Sequence, residues 1–112
     1  MVSHPTSWCV ALARFVEELR TAYGERLEGV VLRGSRARRG ARASGDSDID
    51  TLIILDAVAD YWTEFDRIAP IASRVSLEYD ALISAFPASA AAFRAGAGLL
   101  LANARDAGER LT

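Results

Sequence analysis

Two short clusters in the middle of the chain have the residue types and spacing for metal-assisted nucleotide chemistry. Asp48 and Asp50 open a hydrophobic run with one apolar residue between them, so on a strand their carboxylates face the same side. Two such charges repel unless a cation lies between them, and an oxygen-seeking divalent ion such as Mg²⁺ suits that place. The Gly34-Ser35 pair precedes this cluster by twelve residues.

The Gly34-Ser35 pair follows an apolar segment and has the features of a phosphate-binding turn. Glycine lets the backbone approach a ligand closely, and a serine hydroxyl with free backbone amides can hold phosphate oxygens. Asp-x-Asp or Gly-Ser alone is a weak signal, and an arginine-rich loop is usually only a solvated loop. The order apolar strand, Gly-Ser, basic loop, Ser-Asp-Ile-Asp, apolar strand favours a triphosphate site, with charge supplied by Arg36, Arg38, Arg39 and Arg42.

The overall composition limits the function classes. The chain has 112 residues, which allows one domain over residues 1–112, and a net charge of −2. All 13 basic residues are arginines, so a lysine nucleophile, a Schiff base and a P-loop lysine are excluded. The slightly acidic balance argues against general nucleic-acid binding. Five of the 13 arginines nevertheless lie within residues 33–42, which indicates one compact polyanion as ligand.

The remaining reactive side chains suggest no further chemistry. Cys9, the single cysteine, lies in an apolar run and is expected to be a buried structural thiol. His4 and Cys9 are the single histidine and the single cysteine, which are too few such ligands for a zinc site. The longest apolar run, residues 96–102, is far shorter than the ~20 residues needed to span a bilayer. No signal peptide is evident, so we expect a cytoplasmic protein that does not enter a membrane.

The elements that position these clusters alternate between helices and strands. The patterns predict an α/β (α+β) fold: a small mixed sheet of three or more strands flanked by helices. We expect Ser7 to cap the first helix, Gly24 to end it, and Pro70 to kink or split the second. The predicted helices are 7–23, 60–74, 89–94 and 99–107, and the predicted strands are Leu27–Arg33, Asp48–Leu55 and 76–86.

The predicted third strand carries two acidic residues. Glu78 and Asp80 share one face of strand 76–86 by alternation, so the pattern alone does not choose between them. Either side chain is equally compatible with an exposed charge on an edge strand.

The segment VVLRGSRARRGARASGDSDIDTLIIL, residues 30–55, resembles the signature of the DNA polymerase beta-like nucleotidyltransferase superfamily. It is most similar to the minimal nucleotidyltransferases of prokaryotes, and the tail LLLANARDAGERL, residues 99–111, resembles their closing helix. The positions that match the family pattern are Gly34, Ser35, Asp48 and Asp50, with Ala37, Arg38 and Ser47 fitting the minimal group.

The resemblance implies a nucleotidyltransferase fold and transfer of a nucleoside monophosphate, AMP being favoured, from ATP or another NTP to an acceptor hydroxyl. Asp48 and Asp50 would hold Mg²⁺ (or Mn²⁺) as catalytic ligands. The family usually has a third carboxylate on a neighbouring strand, for which we prefer Glu78 as metal ligand, with Glu78 or Asp80 as general base. The nucleotide and its phosphates would be bound by Gly34, Ser35, Arg38 and Ser47.

The resemblance also implies a partner, because the chain is too short to carry its own acceptor domain. Members of the minimal group are often antitoxins paired with a HEPN-type ribonuclease toxin, onto which AMP is transferred; a homodimer is the other expectation. The competing hypothesis is a weakly active or inactive binding module that neutralises its partner sterically. Trp62, Phe65 and residues 88–97 could form its binding face, although such residues are more often core or ordinary surface.

Overall fold

A computed structural model of the chain describes residues 4–33 and 48–111. The strands in these ranges form one mixed sheet in the order β3-β2-β1-β4. β1 is antiparallel to β2 and to β4, whereas β2 and β3 are parallel. The strands are β1 (Leu27–Arg33), β2 (Asp48–Leu55), β3 (Leu82–Ser89) and β4 (Glu109–Arg110).

Helices cover both faces of this sheet, which confirms the predicted α/β class. The helices are α1 (His4–Tyr23), α2 (Tyr61–Tyr79), α3 (Ala90–Ala95) and α4 (Gly98–Ala107). α2 is the crossover that joins the parallel strands β2 and β3, as parallel pairing requires. No helix in the described ranges is long and apolar enough to cross a membrane. The assignment of residues 1–112 to one domain stays a prediction.

α1 and α2 pack against the same face of the sheet, which we call the helix-pair face. Their apolar residues recur at helical spacing and meet the alternate residues of the strands. The core there consists of Ala11, Leu12, Phe15, Leu19 and Tyr23 from α1, Ile68, Ala72 and Val75 from α2, and Val30, Leu32, Ile49, Ile53, Leu55, Ile83 and Ala85 from the strands.

α3 and α4 cover part of the opposite face, which we call the open face. Leu52, Ile54 and Ala88 on the strands pack there with Phe93 of α3, and Leu101 of α4 adds to the cluster. The central strand β2 is therefore buried on both sides from Leu52 onward, as its continuous apolar run predicted.

The first helix differs from the prediction at its start and agrees at its end. It begins at His4, so Ser7 is inside the helix and the prediction that it caps the helix is wrong. It ends at Tyr23, and Gly24 adopts the left-handed backbone that glycine favours, with φ +58°. Cys9 is exposed and lines an open cavity with Leu12 and Leu32, so the expectation of a buried thiol is wrong.

The boundary between α2 and β3 is the main correction. α2 continues to Tyr79 rather than ending at residue 74, and it includes Pro70 without a break in the helix. β3 begins at Leu82 and ends at Ser89, so the predicted strand 76–86 is wrong at both ends, and Pro87 lies within the strand. The two-residue β4 carried too little pattern to be predicted.

Candidate functional site

The paired aspartates lie at the start of β2, where the sequence predicted them. Ile49 between them is 1% exposed in the core of the helix-pair face. Asp50 is therefore on the open face and is half-buried. Asp48 is the first residue of the same strand, and its side chain lies outside what the structure describes.

The end of β1 lies directly opposite this point. Arg33 is the Cα partner of Asp50 in the antiparallel ladder, and it is bonded to Gly34. The Gly-Ser motif therefore follows directly in the chain after the β1 residue that pairs with Asp50. The proposed phosphate-binding residues Gly34, Ser35, Arg38 and Ser47 lie outside the described residues, and their roles stay predictions.

Glu78 and Asp80 do not lie on a strand, so the prediction that they share a strand face is wrong. Glu78 is exposed in the last turn of α2, near α1. The carboxylate of Glu18 chiefly raises the pKa of Arg14 on α1, and Glu78 adds to this effect.

Asp80 follows α2 directly as its C-cap, with φ +55°. It is exposed and two residues before Leu82, the β3 partner of Asp48. Asp80 therefore lies close in the chain to the start of β3, which is beside the start of β2. Glu78 lies within α2, the helix that covers the helix-pair face.

β3 contributes residues that the sequence reasoning missed. In the parallel ladder Leu82 is the partner of Asp48, and Ser84 is the partner of Asp50. Ser84 is half-buried. The predicted third strand began six residues too early. The pairing of its residues with those of β2 could therefore not be predicted. The available signal was weak, because Ser84 is the single polar residue in the run from Leu82 to Ala88.

The described side chains provide only part of a metal site. Among them, no group of three or more His, Cys, Asp or Glu residues could together hold a metal ion. Asp50 still fits the chemistry of Mg²⁺, since it offers carboxylate oxygens on a half-buried and accessible part of the open face. Asp48 and Asp50 are the residues that would hold the ion.

A buried charged cluster lies at the opposite end of the sheet. Glu64 is 7% exposed and accepts hydrogen bonds from the Tyr23 hydroxyl at 2.8 Å and from Arg26 Nη2 at 3.0 Å. Arg26 also pairs with Asp56 at 3.1 Å. Burial alone would raise the pKa of Glu64, but the bonds from Tyr23 and Arg26 outweigh it and lower that pKa. These groups satisfy one another, so the cluster is structural.

Under the alternative hypothesis of a steric binding module, the residues predicted to contact the partner lie partly on the surface and partly in the core. Trp62 is 63% exposed and meets Phe65 edge-on at a centroid distance of 5.4 Å. Phe65 stacks on Phe86 of β3 at 6.3 Å. Ala88, Ala90 and Phe93 are buried in the core of the open face, whereas the other residues of 88–97 are exposed or half-buried, so this segment is only partly available to a partner.

Comparison with known proteins places the chain among transferases. No family model matches the chain, and no solved structure matches it significantly. It is 37% identical over 73 residues to a protein of Methanocaldococcus jannaschii named as a putative protein adenylyltransferase. The matched segment covers 65% of this chain and 71% of that relative. The chain therefore belongs to the adenylyltransferase family of this archaeal protein, which confirms the resemblance to nucleotidyltransferases.

Proposed function

We propose that the chain is a Mg²⁺-dependent nucleotidyltransferase that transfers AMP from ATP to a hydroxyl group of a protein. The observation that carries this proposal is the register of β1 and β2, in which Asp50 lies opposite Arg33, the residue bonded to Gly34. Because Gly34 follows Arg33 in the chain, that register supports a shared site for the paired carboxylates and the Gly-Ser motif. The name of the archaeal relative supports both the adenylyl group and a protein acceptor.

Each motif has a defined task in this reaction. The Gly34 amide and the Ser35 hydroxyl would donate hydrogen bonds to phosphate oxygens, with Ser47 contributing to nucleotide binding. Arg38 would stabilise the charge that develops on the pyrophosphate leaving group. Mg²⁺ held by Asp48 and Asp50 supplies Lewis-acid polarisation of the phosphates when bound.

The acceptor side needs a group that takes a proton. The acceptor oxygen bonds to the α-phosphorus, the bond from that phosphorus to the pyrophosphate oxygen breaks, and the hydroxyl proton passes to a carboxylate. Of the two candidates, Asp80 is better placed, because it precedes the β3 residue that pairs with Asp48. Glu78 lies on α2, where its charge acts on Arg14 of the neighbouring helix.

The proposal is tested by transfer of radiolabel from α-labelled ATP to protein in the presence of Mg²⁺. Asp50→Asn should lower the transfer rate by about 100-fold or more, because it removes charge from the metal site. Asp66→Asn is the matched control, since Asp66 is an exposed aspartate of α2. Equal transfer by the Asp50 variant and the wild type would refute the metal-site assignment.

For the acceptor we propose a HEPN-type toxin, which would make the chain an antitoxin. The resemblance to minimal nucleotidyltransferases supports this pairing. The first check is whether a neighbouring reading frame encodes a small helical protein with an Arg-x₄-His motif; co-expression with such a protein should yield a toxin heavier by the mass of one AMP. A toxin of unchanged mass, isolated in complex with the active transferase, would contradict this acceptor.

A steric binding module is the second candidate function, and the exposed Trp62 beside Phe65 favours it. In that case Trp62→Ala would abolish the complex with the partner protein. Asp50→Asn would still neutralise the toxic activity of that partner. If Asp50→Asn abolishes neutralisation while the complex still forms, the enzyme is the correct interpretation.

A further inference from the structure

In the described part of the sheet, β3 has a neighbouring strand on one side only, since β2 is its single partner in the order β3-β2-β1-β4. The other side is an edge, where backbone N–H and C=O groups can pair with a strand of another molecule. β3 is eight residues long and mostly apolar, with the sequence LISAFPAS. The backbone groups along this edge therefore decide whether a second chain can extend the sheet.

Two side-chain hydrogen bonds show which residues of β3 face the edge. Successive residues of a strand direct their N–H and C=O groups to opposite sides. Ser84 directs its carbonyl oxygen toward β2, where it accepts from Thr51 Oγ1 at 2.9 Å. Ile83 directs its N–H away from β2 and donates to Ser76 Oγ of α2 at 3.0 Å. Even-numbered residues of β3 therefore face β2, and odd-numbered residues face the edge.

The interior positions that face the edge are Ile83, Ala85 and Pro87, and two of these three have no N–H for another strand. The N–H of Ile83 is already bonded to Ser76, and proline has no N–H. A strand that adds to an edge takes donors from alternate residues of that edge. Ala85 alone is left between the two, so a continuous ladder cannot form.

Aromatic side chains also lie beside this edge. Phe65 belongs to α2, which covers the helix-pair face, whereas Phe86 packs with the cluster of the open face. Their rings nevertheless stack at a centroid distance of 6.3 Å. Because β2 occupies the inner side of β3, this contact passes around the outer edge, next to Pro87. An approaching strand therefore meets an aromatic pair where it would need a backbone donor.

We propose that Ser76 and Pro87 close the edge of β3 to strand addition, so that the folded chain does not extend its sheet with a second copy. Proline and coverage by a helix are two ways in which proteins protect edge strands. Here they act at opposite ends of one strand, with the serine of α2 at its start and the proline near its end. This role is independent of the proposed transferase reaction.

The test measures the molar mass of variants by size-exclusion chromatography with light scattering over a range of concentrations. Ser76→Ala combined with Pro87→Val restores both donors and should produce dimers of the wild-type species, since valine suits a strand. Ser73→Ala combined with Pro87→Val is the matched control, because Ser73 is an exposed serine of α2, and it should keep the wild-type mass. Adding Leu82→Lys to the first pair should restore that mass, because lysine on an edge strand opposes pairing.

Thermal melting shows which variants are folded, and hydrogen exchange tests Ser76 in a chain that retains Pro87. In Ser76→Ala the Ile83 amide should exchange about 10-fold faster, as expected for the loss of one hydrogen bond. Unchanged exchange of this amide would overturn the role of Ser76.

The masses decide the rest of the proposal. A folded Ser76→Ala, Pro87→Val variant that keeps the wild-type mass at every concentration would overturn the closure of the edge. Equal association of the Ser73 control would overturn the joint action of the two residues, since Pro87 would then act by itself. Dimers that survive the addition of Leu82→Lys would place the contact away from β3 and overturn the proposal as well.

Discussion

The side chain of Glu64 connects three parts of the fold at the end of the sheet away from the candidate site. Its two carboxylate oxygens accept from Tyr23 at the end of α1 and from Arg26 just before β1. Arg26 Nη2 also donates to the carbonyl oxygen of Ala57 at 2.9 Å. A buried charge is tolerated only when it is paired and hydrogen-bonded in this way.

Replacing Glu64 with glutamine should destabilise the protein by about 1–3 kcal/mol, because the Tyr23 and Arg26 donors lose a charged acceptor. Urea unfolding at pH 7 measures the change in the free energy of unfolding. Glu25→Gln, at an exposed position, is the control and should change that free energy little. A Glu64 variant as stable as the control would show that the cluster contributes nothing net.

The stability difference between wild type and Glu64→Gln should depend on pH. The pKa of Glu64 is lower in the folded chain than its ordinary value, which is about 4.3 in an unfolded chain. The contribution of the charge is therefore complete above that ordinary value and is lost as pH falls through the lower folded-state pKa. Unfolding at a series of pH values should show the two proteins converging in acid. A difference that stays constant down to that range would contradict the assignment.

A site residue could be inferred from the sequence only where its side-chain chemistry and its spacing within one element both point to the same role. Asp50 is on the open face of β2 because alternation follows from the strand alone. Ser84 could not be inferred, because its relation to Asp50 depends on the register between two strands far apart in the chain. Glu78 was misplaced for a related reason, since its position depends on where a helix ends.

At the scale of elements, α2 begins with a favourable N-cap but contains a proline in its interior. Asp60 caps the helix by accepting from the Thr63 backbone N–H at 3.1 Å. Pro70 in the middle of the helix lacks an N–H to donate to the carbonyl of Asp66. The helix nevertheless continues, because Ile68 and Ala72 on either side of Pro70 are buried against the sheet. Tertiary packing here overrides local propensity.

Pro70→Ala should raise the stability of the protein by about 1–3 kcal/mol, since proline in a helix interior is about 3 kcal/mol less favourable than alanine. Pro70 is exposed, so the change leaves the core intact. The measurement is the midpoint of thermal or urea unfolding. Ser73→Ala, at another exposed position of α2, is the control and gives the scale of an ordinary gain in helix propensity. A Pro70 variant less stable than wild type would show that proline is required for the packing of α2.

The sequence predicts the bounds of β1 and β2 but not the end of α2. β1 and β2 agree with the predicted bounds because β-branched runs between polar segments allow few alternatives. The segment 76–79 alternates polar and apolar residues and so imitates a strand, yet Ile68, Ala72, Val75 and Tyr79 keep helical spacing and pack on the core. Local alternation and helical periodicity overlap over these residues, and burial against the sheet decides between them.

At the scale of the whole molecule, the described residues cover the two faces of the sheet unequally. α1 and α2 close the helix-pair face, whereas Asp50 and Ser84 on the open face remain half-buried. The acceptor must therefore approach from the open face if the proposed chemistry is correct. The sequence motifs that indicate the reaction contain no information about the face that receives the acceptor.

The chain segment after α4 shields β1. β4 pairs with Val31 and Leu32, and the Leu111 N–H donates to the Val30 carbonyl oxygen at 2.7 Å. Arg110 adds a bond from Nη2 to the Glu28 carbonyl oxygen, also at 2.7 Å. Without this cover, a strand rich in valine and leucine would present unpaired backbone groups to other molecules.

Removal of residues 108–112 should therefore cause the chain to associate through β1. We expect a loss of about 2–3 kcal/mol in stability from the missing backbone bonds, and growth of thioflavin-positive aggregates on mild heating. Removal of Thr112 alone is the control. If the shortened chain remains free of aggregates at its own melting temperature, β1 is protected by something other than β4. If aggregates do form, a strand of two residues is the feature that keeps this protein from polymerising.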